Sequence, residues 1–152
     1  MRILSAIMVL IFVLASCTQP SPPMPPDDPI NETPPEIRPP LDFFTITQSG
    51  SFPEQECINR NLDDKVIMIQ SEYCGHCTAT LPDFIAACQE RNITPSVLDI
   101  STKEGRVAMG DFVILIQYTP TFIFGCEYMV GTRPKAGYLE LLDGFLEADK
   151  NG

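Results

Sequence analysis

Residues 65–77 constrain the fold of this 152-residue chain more tightly than any other stretch. Lys65 to Gln70 holds the apolar run Val66-Ile67-Met68-Ile69, bounded by Asp63-Asp64 and Ser71-Glu72. A run so short between polar turn signals reads as a strand buried on both faces rather than as a helix. It delivers the chain directly to Cys74-Gly75-His76-Cys77. Beyond the cysteines, 78–91 carries Leu81, Phe84, Ile85 and Cys88 at helical spacing, with Pro82 as an expected kink and Asn92 as the closing residue. Two cysteines three apart therefore sit where a central strand hands over to a helix.

That placement has chemical content. At a helix N-terminus the unpaired backbone donors and the positive end of the dipole favour a thiolate, so Cys74 is the candidate nucleophile. Cys77, one turn on and shielded, is the candidate resolving thiol. His76, the single histidine of the chain, lies between them and can add positive charge or a hydrogen bond to the thiolate. The same spacing makes half of a zinc site, but a structural site needs a second pair of ligands such as Cys-x-x-Cys or His-x-x-x-His, which this sequence lacks. A purely structural disulfide closing so small a loop would gain little entropy.

The remaining elements suit an α/β arrangement. Residues 41–46 read as a first strand and 52–62 as a short helix; 96–100 reads as a further strand. The 102–117 stretch reads as mostly helical, with 112–116 ambiguous between helix and strand. Residues 121–124 and 128–130 form a hairpin about Gly125-Cys126-Glu127. Pro134 opens a last helix in which Tyr138, Leu141, Leu142 and Phe145 recur at i, i+3, i+4 and i+7. Strands alternating with helices, then a hairpin and a closing helix, predict a sandwich of helices on a central sheet.

The first forty residues have a different character. Met1-Arg2 followed by the apolar run Ile3 to Leu14 reads as an export signal, since twelve residues fall short of the roughly 20 needed to span a bilayer. Leu14-Ala15-Ser16-Cys17 resembles the lipobox of prokaryotic lipoproteins, which implies a signal over 1–16, cleavage before Cys17 and lipidation of that cysteine. An ordinary secretory signal with Cys17 near its cleavage site is the alternative. Residues 18–40 hold ten of the fifteen prolines and favour extended polyproline conformation. At about 3.1 Å per residue such a spacer reaches up to roughly 70 Å. The expected organisation is thus a signal over 1–16, a lipid-bearing cysteine with a flexible linker over 17–40, and one folded domain over 41–152. The net charge of −10, with twenty acidic residues against ten basic and no basic cluster, argues against nucleic acid as a partner.

The folded part resembles the thioredoxin superfamily. The resemblance rests on Glu72-Tyr73-Cys74-Gly75-His76-Cys77, Pro82 five residues after the second cysteine, Tyr118-Thr119-Pro120-Thr121-Phe122, and Val130-Gly131 before the last helix. The Cys-Gly-His-Cys form is similar to that of protein disulfide isomerases. The likeness covers roughly 41–150 and implies a thioredoxin-like fold, with a central mixed β-sheet flanked by helices. It also implies catalytic roles for Cys74, Cys77 and His76, a cis Pro120 facing the cysteines, and substrate contacts from Thr119, Pro120, Gly75 and Tyr73. The chain departs from the pattern at Met68, where the family usually carries a buried acid that moves the resolving thiol's proton. Water or another group such as Glu72 would have to serve, or that step would be slower.

Six cysteines in so short a chain suit an oxidising compartment. Cys88 lies eleven residues after Cys77, back on nearly the same helix face but about 16 Å along, so it is expected to be a buried free thiol. Cys57 and Cys126 are candidates for a structural disulfide, with a free, redox-sensing Cys126 as the alternative. The expected function is extracytoplasmic disulfide exchange or isomerisation with exported proteins and a redox partner protein. The chain would work as a monomer on a membrane through its N-terminal lipid, with no metal and no cofactor beyond the redox-active disulfide Cys74–Cys77. Two other functions fit the same sequence: a non-catalytic module that binds extended segments or escorts a metal, and a dedicated reductant for haem-protein maturation or peroxide defence.

Overall fold

The computed structural model of the protein describes residues 41–150. The expected signal, the Cys17 lipid site and the proline-rich linker lie outside the described residues. In chain order the elements are β1 (Phe44–Ile46), β2 (Gly50–Ser51), α1 (Glu54–Asn59), β3 (Val66–Gln70), α2 (Gly75–Glu90) and β4 (Ser96–Asp99). There follow α3 (Lys103–Asp111), β5 (Ile114–Ile116), β6 (Thr121–Phe124), β7 (Glu127–Val130) and α4 (Lys135–Asp149).

Five strands form one mixed sheet in the order β2-β7-β6-β3-β4. β3 lies at its centre, parallel to β4 and antiparallel to β6, with Met68 opposite Val97 on one side and Phe122 on the other. β1 and β5 make a separate parallel pair. Because side chains alternate along a strand, successive residues serve opposite faces. Val66, Met68, Phe122, Phe124 and Met129 join Cys77, Phe84, Cys88, Tyr138 and Leu142 of α2 and α4 in one core. Ile67, Ile69 and Ile123 face the other way and pack with Ile46, Phe52, Cys57, Leu62, Met109 and Ile114. Helices therefore cover both faces, and the chain adopts the thioredoxin-like fold, a central mixed sheet flanked by helices.

Local chemistry explains the boundaries. α2 begins at Gly75 and runs unbroken past Pro82 to Glu90. It ends with Asn92 at φ +55°, Asn92 N–H donating to Gln89 O at 3.1 Å and Ile93 N–H donating to Cys88 O at 2.9 Å, which satisfies two terminal carbonyls. The Arg91 guanidinium pairs with the Asp143 carboxylate through two bonds and holds this end of α2 to α4. The hairpin turn is Gly125-Cys126 alone, one residue shorter than expected, because Glu127 pairs with Phe124. Its first position has φ +60°, and a Cβ there would come within 3.0 Å of Asp63 O, so glycine is required.

Three features differ from the sequence reading. The ambiguous 112–116 stretch resolves into a helix end and the strand β5, turned out of the helix at Val113, whose φ is +54°. β2 had no apolar signature, since Gly50 and Ser51 are both exposed and only edge pairing to β7 defines them. Arg60, 3 % exposed, is a buried clamp. It donates to the carbonyls of Phe112 (3.1 Å), Val113 (2.7 Å) and Asp42 (2.8 Å), and its guanidinium lies 5.7 Å from the centre of the Phe44 ring.

Candidate active site

β3 ends at Gln70, and a three-residue turn carries the chain to Cys74, the N-cap of α2. The turn is tied internally: Cys74 N–H donates to Ser71 O at 3.0 Å, and Tyr73 N–H donates to Ser71 Oγ at 3.3 Å. Serine, threonine and aspartate usually cap helices with oxygen. Here the cap is sulfur: Cys74 Sγ accepts Cys77 N–H at 3.1 Å. A backbone donor and the helix dipole thus converge on the atom that must carry negative charge in a thiolate.

Cys74 and Cys77 are joined as a disulfide in this structure. The two differ in access: Cys74 is half-buried, and Cys77 is 1 % exposed within the core between α2, α4 and the sheet. An external sulfur can approach Cys74 and not Cys77, which is the asymmetry that divides attacking from resolving roles.

The segment Tyr118–Thr121 meets this centre from the other side. The Thr119-Pro120 bond is cis, and Thr119 O lies 3.5 Å from Cys74 Sγ. Pro120 is fully buried; its carbonyl accepts Gly131 N–H at 2.9 Å, and Thr121 Oγ1 donates to Tyr118 O at 2.7 Å. The structure brings Cys74, Cys77, Thr119 and Pro120 together. Tyr73, 85 % exposed, and half-exposed Tyr118 stand just before Cys74 and Thr119 in the chain. Gly75 is exposed, and a Cβ on it would meet nothing within 4 Å, so packing does not demand glycine there. His76 is exposed, finds no hydrogen-bond partner among the described residues, and lines a cleft of about 280 Å³ beside α2.

Met68 is wholly buried in the same core as Cys77, and no carboxylate is buried among the described residues. An organised acid, Asp99, stands at the end of β4 opposite Gln70. Its carboxylate accepts the Ser101 hydroxyl, Ser101 N–H at 2.8 Å and Glu72 N–H. These bonds, the Ser101 hydroxyl first, hold its pKa below the ordinary value, against a smaller opposing effect of burial. Asp99 therefore ties the turn before Cys74 to the edge of the sheet. α3 passes so close that a Cβ on Gly105 would lie 1.9 Å from Asp99 O. The Tyr73 hydroxyl titrates above its usual value, chiefly because it donates to the Glu72 carboxylate.

The other cysteines are separated from this centre. Cys57 and Cys126 form a disulfide, with sulfurs 2.04 Å apart, that joins α1 to the hairpin turn. Cys88 is a buried free thiol on α2, and burial pushes its pKa up to about 11. Among the described residues no group of three or more His, Cys, Asp or Glu side chains gathers to hold a metal ion. Sequence reasoning missed Asp99, and it missed a buried hydroxyl pair, Thr80 with Tyr138. Thr80, one turn after Cys77 on an otherwise apolar face, was the available signal for the second.

No model of a known protein family matches the chain, and no curated protein matches it. Among solved structures it is similar to a chloroplastic thioredoxin z, at 16% identity over 72% of this chain and 99% of that one, with a TM-score of 0.44. It is also similar to a thioredoxin from Aeropyrum pernix, at 18% identity over 65% of this chain and 95% of that one, with a TM-score of 0.40.

Proposed function

We propose that this chain is an extracytoplasmic thiol-disulfide oxidoreductase that exchanges disulfides with exported proteins through Cys74 and Cys77. The observation that carries the reading is the environment of Cys74 Sγ. It is half-buried, capped by Cys77 N–H at 3.1 Å, and lies 3.5 Å from Thr119 O, while Cys77 behind it is shielded. In the reducing direction the Cys74 thiolate attacks one sulfur of a substrate disulfide. A mixed disulfide forms, and the departing substrate thiolate takes a proton from solvent. Cys77 then loses its proton and attacks Cys74 Sγ, which forms Cys74–Cys77 and releases the second substrate thiolate. Two electrons pass to the substrate; the reverse sequence oxidises it.

Thr119 and cis Pro120 present backbone beside the reacting sulfurs, where an extended substrate could lie. Tyr73 and Gly75 offer open surface next to it. His76, placed between the cysteines, supports an oxidant or isomerase, and the redox partner that supplies or removes electrons decides the net direction. The expected export signal, the lipobox-like Cys17 and the proline-rich spacer support a location at a membrane surface outside the cytoplasm.

Insulin reduction by the full-length protein, with Cys74→Ser as control, tests the reading. The expected result is turbidity that depends on Cys74; indistinguishable rates from the two proteins would overturn it. Buried Met68, in the place where the family resemblance implies an acid, favours a second reading, a binding module with slow or no turnover. Thiol titration separates the two: an ordinary Cys74 pKa and no reversible Cys74–Cys77 disulfide would support the module.

A further inference from the structure

The hydroxyls of Thr80 and Tyr138 lie 2.6 Å apart between α2 and α4, and Tyr138 OH also accepts Arg133 N–H at 3.1 Å. Tyr138 is fully buried and Thr80 is 4 % exposed. The ring alone would fill this part of the core: Phe84 and Phe122 pack around it with centroids 5.6 Å and 5.0 Å away. A buried hydroxyl adds nothing to that packing and costs free energy unless it is bonded. Its presence is explained by what it connects.

Thr80 stands one helical turn beyond Cys77, on the wall that α2 presents to the cleft. Arg133 belongs to the opposite wall, Thr132 to Pro134. The hydroxyl bridge spans the two. The same turn is tied at its other end to Pro120, the residue after Thr119, through Gly131 N–H to Pro120 O at 2.9 Å. A continuous chain of hydrogen bonds thus runs from α2 through Tyr138 to the turn after β7, and from that turn to the Thr119-Pro120 segment. The 131–134 turn and the Thr119-Pro120 segment, whose Thr119 O lies 3.5 Å from Cys74 Sγ, are thus both held relative to the helix that carries Cys74.

We propose that Tyr138 is a positioning residue for exchange with polypeptides. Its hydroxyl fixes the 131–134 wall against α2, so that a polypeptide disulfide lying across Cys74 is gripped between this wall and Thr119-Pro120. The inference rests on the reading of Cys74–Cys77 as an exchange site. A small disulfide touches only the sulfur and gains nothing from the wall, so substrate size separates the effect from a general loss of packing.

The test measures kcat and KM for insulin, kcat/KM for a small aromatic disulfide, and the pH profile of Cys74 alkylation in the full-length protein. The variants are Tyr138→Phe, Thr80→Val, the two combined, and Thr80→Ser as the conservative change. With the bridge broken, by the loss of two bonds in Tyr138→Phe and of one in Thr80→Val, KM for insulin is expected to rise at least about fivefold in either single variant. The combined variant should be no worse than the singles, because both act through one bridge. Thr80→Ser should restore the parent KM, and the small disulfide and the alkylation profile should barely move. Equal losses on insulin and the small disulfide, or losses that multiply in the combined variant, would overturn the proposal. So would an unchanged KM in an active parent protein. A parent that exchanges neither substrate brings down the reading of the site itself, and the inference with it.

Discussion

The amide of Cys77 donates to the sulfur of Cys74 across 3.1 Å, so the resolving residue stabilises the attacking one before either reacts. In the reduced protein this bond and the dipole of α2 favour the Cys74 thiolate, while Cys77 stays inside the core. Cys74 is expected to react with iodoacetamide at least about tenfold faster than Cys77 at neutral pH, because Cys77 is shielded in the core and Cys74 meets solvent. Peptide mass mapping after partial alkylation reads this directly. Equal labelling of the two would remove the distinction between their roles. Cys77→Ala should then accumulate mixed disulfides through Cys74, visible as adducts that collapse with excess dithiol.

The second disulfide is expected to behave differently. Cys57 is wholly buried in α1, and the bridge to Cys126 closes a separation of 69 residues. Loop closure of that length is worth about 4 kcal/mol in the chain-entropy description. The Cys57→Ala, Cys126→Ala double variant should lose stability of that order in urea denaturation, with Cys74 reactivity retained in the folded fraction. A dithiol that opens Cys74–Cys77 within minutes should leave Cys57–Cys126 closed; simultaneous opening would contradict a structural role.

Arg60 offers a test of the fold independent of the cysteines. Its guanidinium satisfies carbonyls from the strand entry at Asp42 and from the α3–β5 junction at Phe112 and Val113. Arg60→Met removes every donor and leaves those acceptors facing an apolar chain. A loss of about 2–4 kcal/mol is expected from several unpaired buried groups. Hydrogen exchange should localise the loosening to β1 and β5. A uniform loss across the sheet, or none, would show that Arg60 does not clamp these segments.

Much of this was legible in the sequence because short-range chemistry and long-range packing agree. The 66–69 run alternates between the two cores as a central strand must, and the pair Cys74, Cys77 falls at the start of α2 because the strand before it has nowhere else to deliver the chain. Thr119 and Pro120 were legible through resemblance rather than pattern. The features not legible depend on partners distant in sequence. β2 is defined only by pairing with β7, and Arg60 by carbonyls 18 to 53 residues away. Tyr138 lay in an apolar stripe and read as core, which its ring is; only Thr80 and Arg133 across the cleft reveal what its hydroxyl does.

Asp99 joins the fold to the turn before Cys74, and its effect depends on pH. The Ser101 hydroxyl, Ser101 N–H and Glu72 N–H all bond the ionised carboxylate, so its folded pKa lies below the ordinary value of 3.8. In acid the unfolded chain therefore binds this proton before the folded one does, and stability rises with pH across that interval. The contribution is complete above about pH 4 and is lost as pH falls through the lowered folded value. Asp99→Asn keeps an acceptor but no charge. It should have a lower urea midpoint than the parent at pH 7, and the two midpoints should converge as pH is taken from about 4 towards 2. A difference that stays constant over this range would mean that Asp99 acts by shape alone. Convergence would mark the ionised charge, held chiefly by Ser101 and also by the Glu72 amide, as the source of the difference, and Cys74 alkylation should then slow in the Asn variant if that charge steadies the turn before it.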